Sequence, residues 1–103
     1  MRTRIEFRNM LAGVVGDSVK LYFQPPEGEK LKYPCIVYGR GTPITRHAND
    51  EKYLKLRNFD VLLIVADAED TELSEKLEDI KYSRPGKPYM SDRLYHYPFS
   101  IYY

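Results

Sequence analysis

The chain has 103 residues, enough for one domain with one modest core. Hydrophobic residues make up 43%, charged residues 30%, and the net charge is +1, which gives no global drive toward nucleic acid or an anionic membrane. Mean hydropathy is −0.55 and the longest apolar run, Val61 to Ala66, is far too short to span a bilayer.

The start, Met-Arg-Thr-Arg-Ile-Glu, has no apolar signal core behind it, so a cytoplasmic place of synthesis and residence is expected. A single cysteine, Cys35, excludes an internal disulfide and any multi-cysteine zinc site. Ten tyrosines, four phenylalanines and no tryptophan are the one oddity of composition. Tyrosine suits both half-buried strands and protein–protein contacts, because its ring is apolar and its hydroxyl tolerates water.

The pattern predicts a helix over Thr3 to Val15, with Thr3 and Glu6 at capping-box spacing. Its apolar stripe is read as Ile5, Leu11, Val14 and Val15, with Phe7 and Met10 flanking, and Gly16 as its stop. A short strand follows at Val19 to Phe23, ended by Gln24-Pro25-Pro26. Cys35 to Arg40 reads as a second strand and Gly41 to Asp50 as a loop. Lys52 to Ala66 is the longest extended candidate. It alternates at first and becomes apolar on both faces from Val61, as expected of a strand that projects beyond a sheet and then enters it. The projecting part is expected to pair with the Tyr38 region as a hairpin arm. Thr71 to Ile80 reads as a second helix, with Leu73, Leu77 and Ile80 on one face. Pro85-Gly86-Lys87-Pro88 reads as a loop, and Leu94 to Tyr103 as a final strand with Tyr95, Tyr97, Phe99, Ile101 and Tyr103 on one face. Pro98 argues for an edge or a bulge there. The expected order is α-β-β-β-α-β. It implies an α+β sandwich: a mostly antiparallel or mixed sheet with two helices on one face, in a single domain spanning residues 1–103.

No constellation for chemistry emerges. A calcium loop starting at Asp67 would place Glu72 where a glycine is required, and the segment reads as helix. His47, His96 and Cys35 lack zinc-ligand spacing. Cys35 opens an apolar strand and reads as a small buried hydrophobe rather than a nucleophile. Gly39-Arg40-Gly41 precedes a strand rather than a helix, so it is not a phosphate loop. An enzyme is not expected, nor any cofactor or metal.

Charge is unevenly spread. Residues 1–58 carry 11 basic and 6 acidic side chains, and residues 59–103 carry 5 and 9. Such a dipolar chain suits head-to-tail association. Tyr38, Arg40, Arg46, Tyr53, Lys55 and Arg57 interleave bases with aromatics, a pattern that also fits a small nucleic-acid-binding module.

Three stretches carry a resemblance. They are Leu21-Tyr22-Phe23-Gln24-Pro25-Pro26 with Lys32-Tyr33-Pro34-Cys35-Ile36-Val37-Tyr38, then Tyr53 through Asp67, then Asp92-Arg93-Leu94-Tyr95-His96 with Phe99-Ser100-Ile101-Tyr102-Tyr103. In this order they resemble the tail-completion, or tail terminator, proteins of long-tailed bacteriophages. The resemblance implies an α/β sandwich that forms a ring, expected to be a hexamer, at the tail–head joint of the virion. Such a ring caps the tail tube, stops its polymerisation and joins it to the head connector. The implied partners are other copies of the chain, the tail tube protein and the head-side connector or stopper protein. DNA would only pass through the lumen, and no membrane or cofactor is implied. Assembly would take place in the bacterial host cytoplasm. A head-completion adaptor of the same neck is the nearest alternative. A closed ring joins two different faces of each subunit. The expected interface residues are Tyr38, Arg40, Arg46, Tyr53, Lys55 and Arg57 on the basic side, and Asp70, Glu72 and Glu75 on the acidic side.

Overall fold

The first helix, α1 (Arg4–Val15), begins where the sequence places it. Glu6 N–H donates to the Thr3 hydroxyl at 3.1 Å and Thr3 N–H donates to the Glu6 carboxylate at 3.3 Å, a reciprocal capping box. The helix ends at Gly16, whose φ of +84° suits a residue without Cβ. Its buried face differs from the expected stripe. Phe7, Leu11 and Val15 point inward at i, i+4, i+8, whereas Ile5 is 60% exposed. Phe7 takes the inward position because the aromatic floor beneath accepts it: its ring stacks on Phe59 with centroids 4.0 Å apart and planes within 5°.

A computed structural model describes residues 3–26, 28, 30–41, 57–66 and 72–103. Beyond α1 these form β1 (Lys20–Phe23), β2 (Cys35–Arg40), β3 (Asn58–Val65), α2 (Glu72–Glu78), β4 (Ser83–Pro85), β5 (Tyr89–Ser91) and β6 (Leu94–Tyr102). The architecture is α+β, an open mixed sheet with two helices packed on it. Strand order is β1-β2-β3-β6-β4, with β5 also paired to β6. Among the described residues only β1 and β2 run parallel, and the remaining pairs are antiparallel. The expected hairpin arm between Tyr38 and Tyr53 falls largely outside the described residues. What is seen is its base: Arg40 lies opposite Phe59, and Gly41 N–H donates to Asn58 O at 2.9 Å.

The register explains the layers. On one face lie Ile36 and Tyr38 of β2, Phe59, Val61, Leu63 and Val65 of β3, and Phe99 and Ile101 of β6. Together with Phe7, Leu11, Val15, Leu73 and Leu77 of the helices they form the buried core. Tyr95, Tyr97 and Tyr103 pack against it, as the alternation of the last strand predicts. The apolar run after Val61 is likewise explained, since β3 is a central strand buried on both sides at Ile64 and Val65.

Two short strands not expected from the sequence, β4 and β5, flank the 86–88 part of the expected loop, and they correct the placement of Pro98. β6 is not an edge strand: β3 lies on one side, and β4 and β5 lie on the other. Pro98 O accepts from Gly86 N–H at 2.8 Å, so the missing Pro98 donor also faces the β4–β5 side. There the ladder is interrupted: Pro85 pairs with Phe99 and Tyr89 with His96, leaving three residues opposite two. The proline sits where a bulge-like break asks for no N–H. β5 returns into β6 through Asp92 and Arg93, both at positive φ, +53° and +64°, as a two-residue type I′ hairpin requires.

Candidate interaction surface

The helices cover one face of the sheet. The opposite face carries Val37 and Gly39 from β2, Asp60, Leu62 and Ile64 from β3, and His96, Pro98 and Ser100 from β6. Part of it is closed by the chain itself. The backbone N–H of Lys32 donates to the Tyr22 hydroxyl at 3.2 Å, holding the segment before β2 against that face. The middle is open and forms a groove of about 590 Å³. Its floor is Val37, Leu62 and Pro98, all half-buried. Exposed Arg40, Arg84 and Asp60 also line it. Gly39 belongs to this lining for a steric reason: a Cβ there would stand 2.8 Å from Cγ of Gln24, another lining residue. Beside the groove, the Ser100 hydroxyl donates to Asn58 Oδ1 at 2.8 Å.

The expected interface residues separate. Tyr38 is not a surface residue. It is 3% exposed, with its ring tilted against Phe7 at 6.0 Å and Phe23 at 5.3 Å, because its position in β2 alternates onto the helix-covered face. Burial pushes its hydroxyl pKa up, and the charges of Arg8 and Arg4 oppose the rise. Arg40 is exposed at the end of β2. Arg57 is half-buried just before β3, in a reciprocal backbone pair with Tyr103: N–H to O distances are 3.1 and 2.9 Å. Glu72 and Glu75 are exposed on α2, and Glu72 pairs with Lys76 at 3.2 Å. Arg46, Tyr53, Lys55 and Asp70 lie outside the described residues.

Sequence reasoning missed Val37, Asp60, Leu62, Arg84 and Pro98 as one surface. One signal was available: Leu62 and Ile64 are apolar at the positions of β3 that alternate away from the helices. Arg84 carried none, because it reaches the groove only through the unforeseen pairing of β4 with β6.

The chemistry here is that of contact rather than catalysis. Among the described residues no three His, Cys, Asp or Glu side chains gather as a metal site would require. Cys35 is fully buried, and desolvation raises its thiol pKa to about 11, so its reactive thiolate is scarce at neutral pH. Among the described residues no helix is long and apolar enough to cross a membrane. Family models, curated proteins and solved structures yield no match to this chain.

Proposed function

We propose that the chain is a structural protein of a bacteriophage neck. Its copies form a ring, expected to be a hexamer, that caps the tail tube, stops tube polymerisation and joins the tail to the head connector. The observation that supports this reading is the one-sided layering of the fold. An acidic helix forms part of one outer surface, and a partly apolar sheet face on which no described helix packs forms the other. A subunit with two unlike surfaces on opposite sides suits head-to-tail closure, which a ring requires. The resemblance in the three sequence stretches supplies the setting. On this reading DNA passes through the lumen without tight binding, and the virion's tail–head joint is where the protein resides.

Negative-stain microscopy of a lysate from a phage with this gene disrupted tests the proposal. Overlong or ragged tails unattached to heads are expected. Normal-length free tails beside leaky heads would transfer the protein to the head side of the neck as an adaptor. Intact infectious virions would overturn any essential neck role. Salt-sensitive DNA binding by the purified protein would instead favour a nucleic-acid-binding module.

A further inference from the structure

The fold redraws the charge division seen along the sequence. Arg84 belongs to the acidic half of the chain, yet the pairing of β4 with β6 brings it to the groove that Arg40 also lines. The acidic surplus of that half is concentrated around α2. Four carboxylates, Glu72, Glu75, Glu78 and Asp79, are exposed there beside one ammonium, Lys76. Leu73 and Leu77 anchor α2 in the core, so these carboxylates face away from the sheet. Charge therefore groups by surface rather than by half of the sequence: α2 is acidic, α1 beside it exposes Arg4 and Arg8, and the groove carries Arg40 and Arg84 with Asp60.

We infer that the groove on the sheet face opposite the helices receives the α2 surface of a second copy of this chain. Charge complementarity selects this occupant: the lining, with Arg40 and Arg84 against one carboxylate, Asp60, is positive on balance and meets a surface dominated by carboxylates. Two other pairings are disfavoured. Groove against groove would oppose arginines, and α2 against α2 would oppose carboxylates. The half-buried floor of Val37, Leu62 and Pro98 gains cover in the same contact. The two surfaces lie on opposite sides of the sheet, so the contact is heterologous and repeats from copy to copy; on the ring reading its rotation closes. Exposed ion pairs are individually weak because solvent screens them and both side chains must be ordered. A single contact is therefore weak, and closure, in which every subunit makes two contacts, supplies the persistence. This inference rests on the ring reading above and names the faces that would build it.

Disulfide trapping reads weak contacts. Glu75→Cys and Arg84→Cys are made separately, one enlarged by a tag, and mixed under mild oxidation. The buried Cys35 thiol stays silent, as the parent protein verifies. The expected product is the mixed dimer, in at least about tenfold excess over either homodimer. It should be lost at about 1 M salt, where screening shortens to about 3 Å. The double variant E75C/R84C should give a ladder of higher species. Reversal variants R40E/R84E and E72K/E75K should each abolish the higher species trapped by lysine-reactive cross-linking, and mixing the two should restore the ladder, because each groove then meets an α2 surface of opposite charge in alternating order. Circular dichroism of each variant checks that it is folded. An excess of either homodimer, or no mixed dimer even with purified tail tubes as template, would overturn the docking. So would capture of the tube protein by R84C in place of a second copy. The two readings fail separately. Overlong tails in the gene disruption without the mixed dimer keep the neck role and remove this interface. A mixed dimer with intact virions does the reverse.

Discussion

Two substitutions only two residues apart should differ greatly in cost, because α1 is rotated from its apparent stripe. Phe7 is fully buried, stacked on Phe59 at 4.0 Å, with Tyr38 and Tyr103 rings at 6.0 and 5.8 Å. Phe7→Ala empties a ring-sized volume among these aromatics. Such truncations cost about 3–5 kcal/mol, a figure that already contains the lost stacking. Domains of this size hold about 5–15 kcal/mol in all, so the loss approaches the stability of a weak member of that range. Ile5, two residues earlier and 60% exposed, should cost no more than about 0.5 kcal/mol when replaced by alanine. Urea unfolding followed by far-ultraviolet circular dichroism measures both. At a slope of about 1.5 kcal/mol per molar, Phe7→Ala should lower the midpoint by about 2–3 M, and Ile5→Ala by less than about 0.4 M. Equal losses from the two variants, or a larger loss from Ile5→Ala, would refute the assigned helix register and the core built on it.

Further expectations follow from other local features. Thr3→Ala removes the capping box and should cost about 1 kcal/mol in the same assay, with Thr3→Ser recovering most of it. Replacing Asp92-Arg93 by Asn-Gly relieves two left-handed residues and should raise the melting temperature by about 4–8 °C, equivalent to about 1 kcal/mol. Cys35 is raised from 9.0 to about 11 by burial, so its neutral form belongs to the folded state. The stability it contributes is complete below pH 9 and is lost as pH rises toward 11. The difference in stability between the parent and Cys35→Ala, followed over that window, should shrink with rising pH. Thiol labelling at pH 8 should be slow in the folded protein and fast in urea. Ser100→Ala leaves Asn58 Oδ1 without that donor and should cost about 1 kcal/mol.

Much of the fold was legible where a physical constraint repeats along the chain. Thr3 and Glu6 announce a helix start by spacing alone, and the capping box forms as read. The alternation from Tyr95 to Tyr103 fixes which side of β6 meets the helices. The switch to continuous apolarity at Val61 marks a strand whose end is buried on both faces at Ile64 and Val65. Failures occurred where the deciding contact is distant. Ile5 and Phe7 are equally apolar letters, and only Phe59, more than fifty residues on, makes Phe7 the inward one. β4 and β5 are three residues each, too short to show a period, and the Asp92-Arg93 turn that joins β5 to β6 carries no glycine. Pro98 signalled a gap in the ladder, which exists, but the edge it suggested does not, because the interruption lies in the neighbouring strand. Tyr38 shows the same limit: an aromatic in a basic context reads as surface until its alternation is set by the sheet. The groove was illegible for a similar reason, since its lining comes from four strands and the segment after β1.

The position of β6 has a consequence for how the chain reaches this structure. β3, β4 and β5 all pair with it, and it is the last strand in chain order. During synthesis β1, β2 and β3 emerge first and can pair with one another, but β3 then presents a bare edge bearing Val61, Leu63 and Val65. That edge stays unpaired until Leu94–Tyr102 has left the ribosome, and β4 and β5 wait for the same partner. Closure is thus late, joins residues some forty positions apart, and places folding in the slower regime of sheets built from non-local pairs. Nascent chains crowded together are therefore at their most sticky just before β6 arrives, when one chain's β3 can accept another chain's β6 in place of its own.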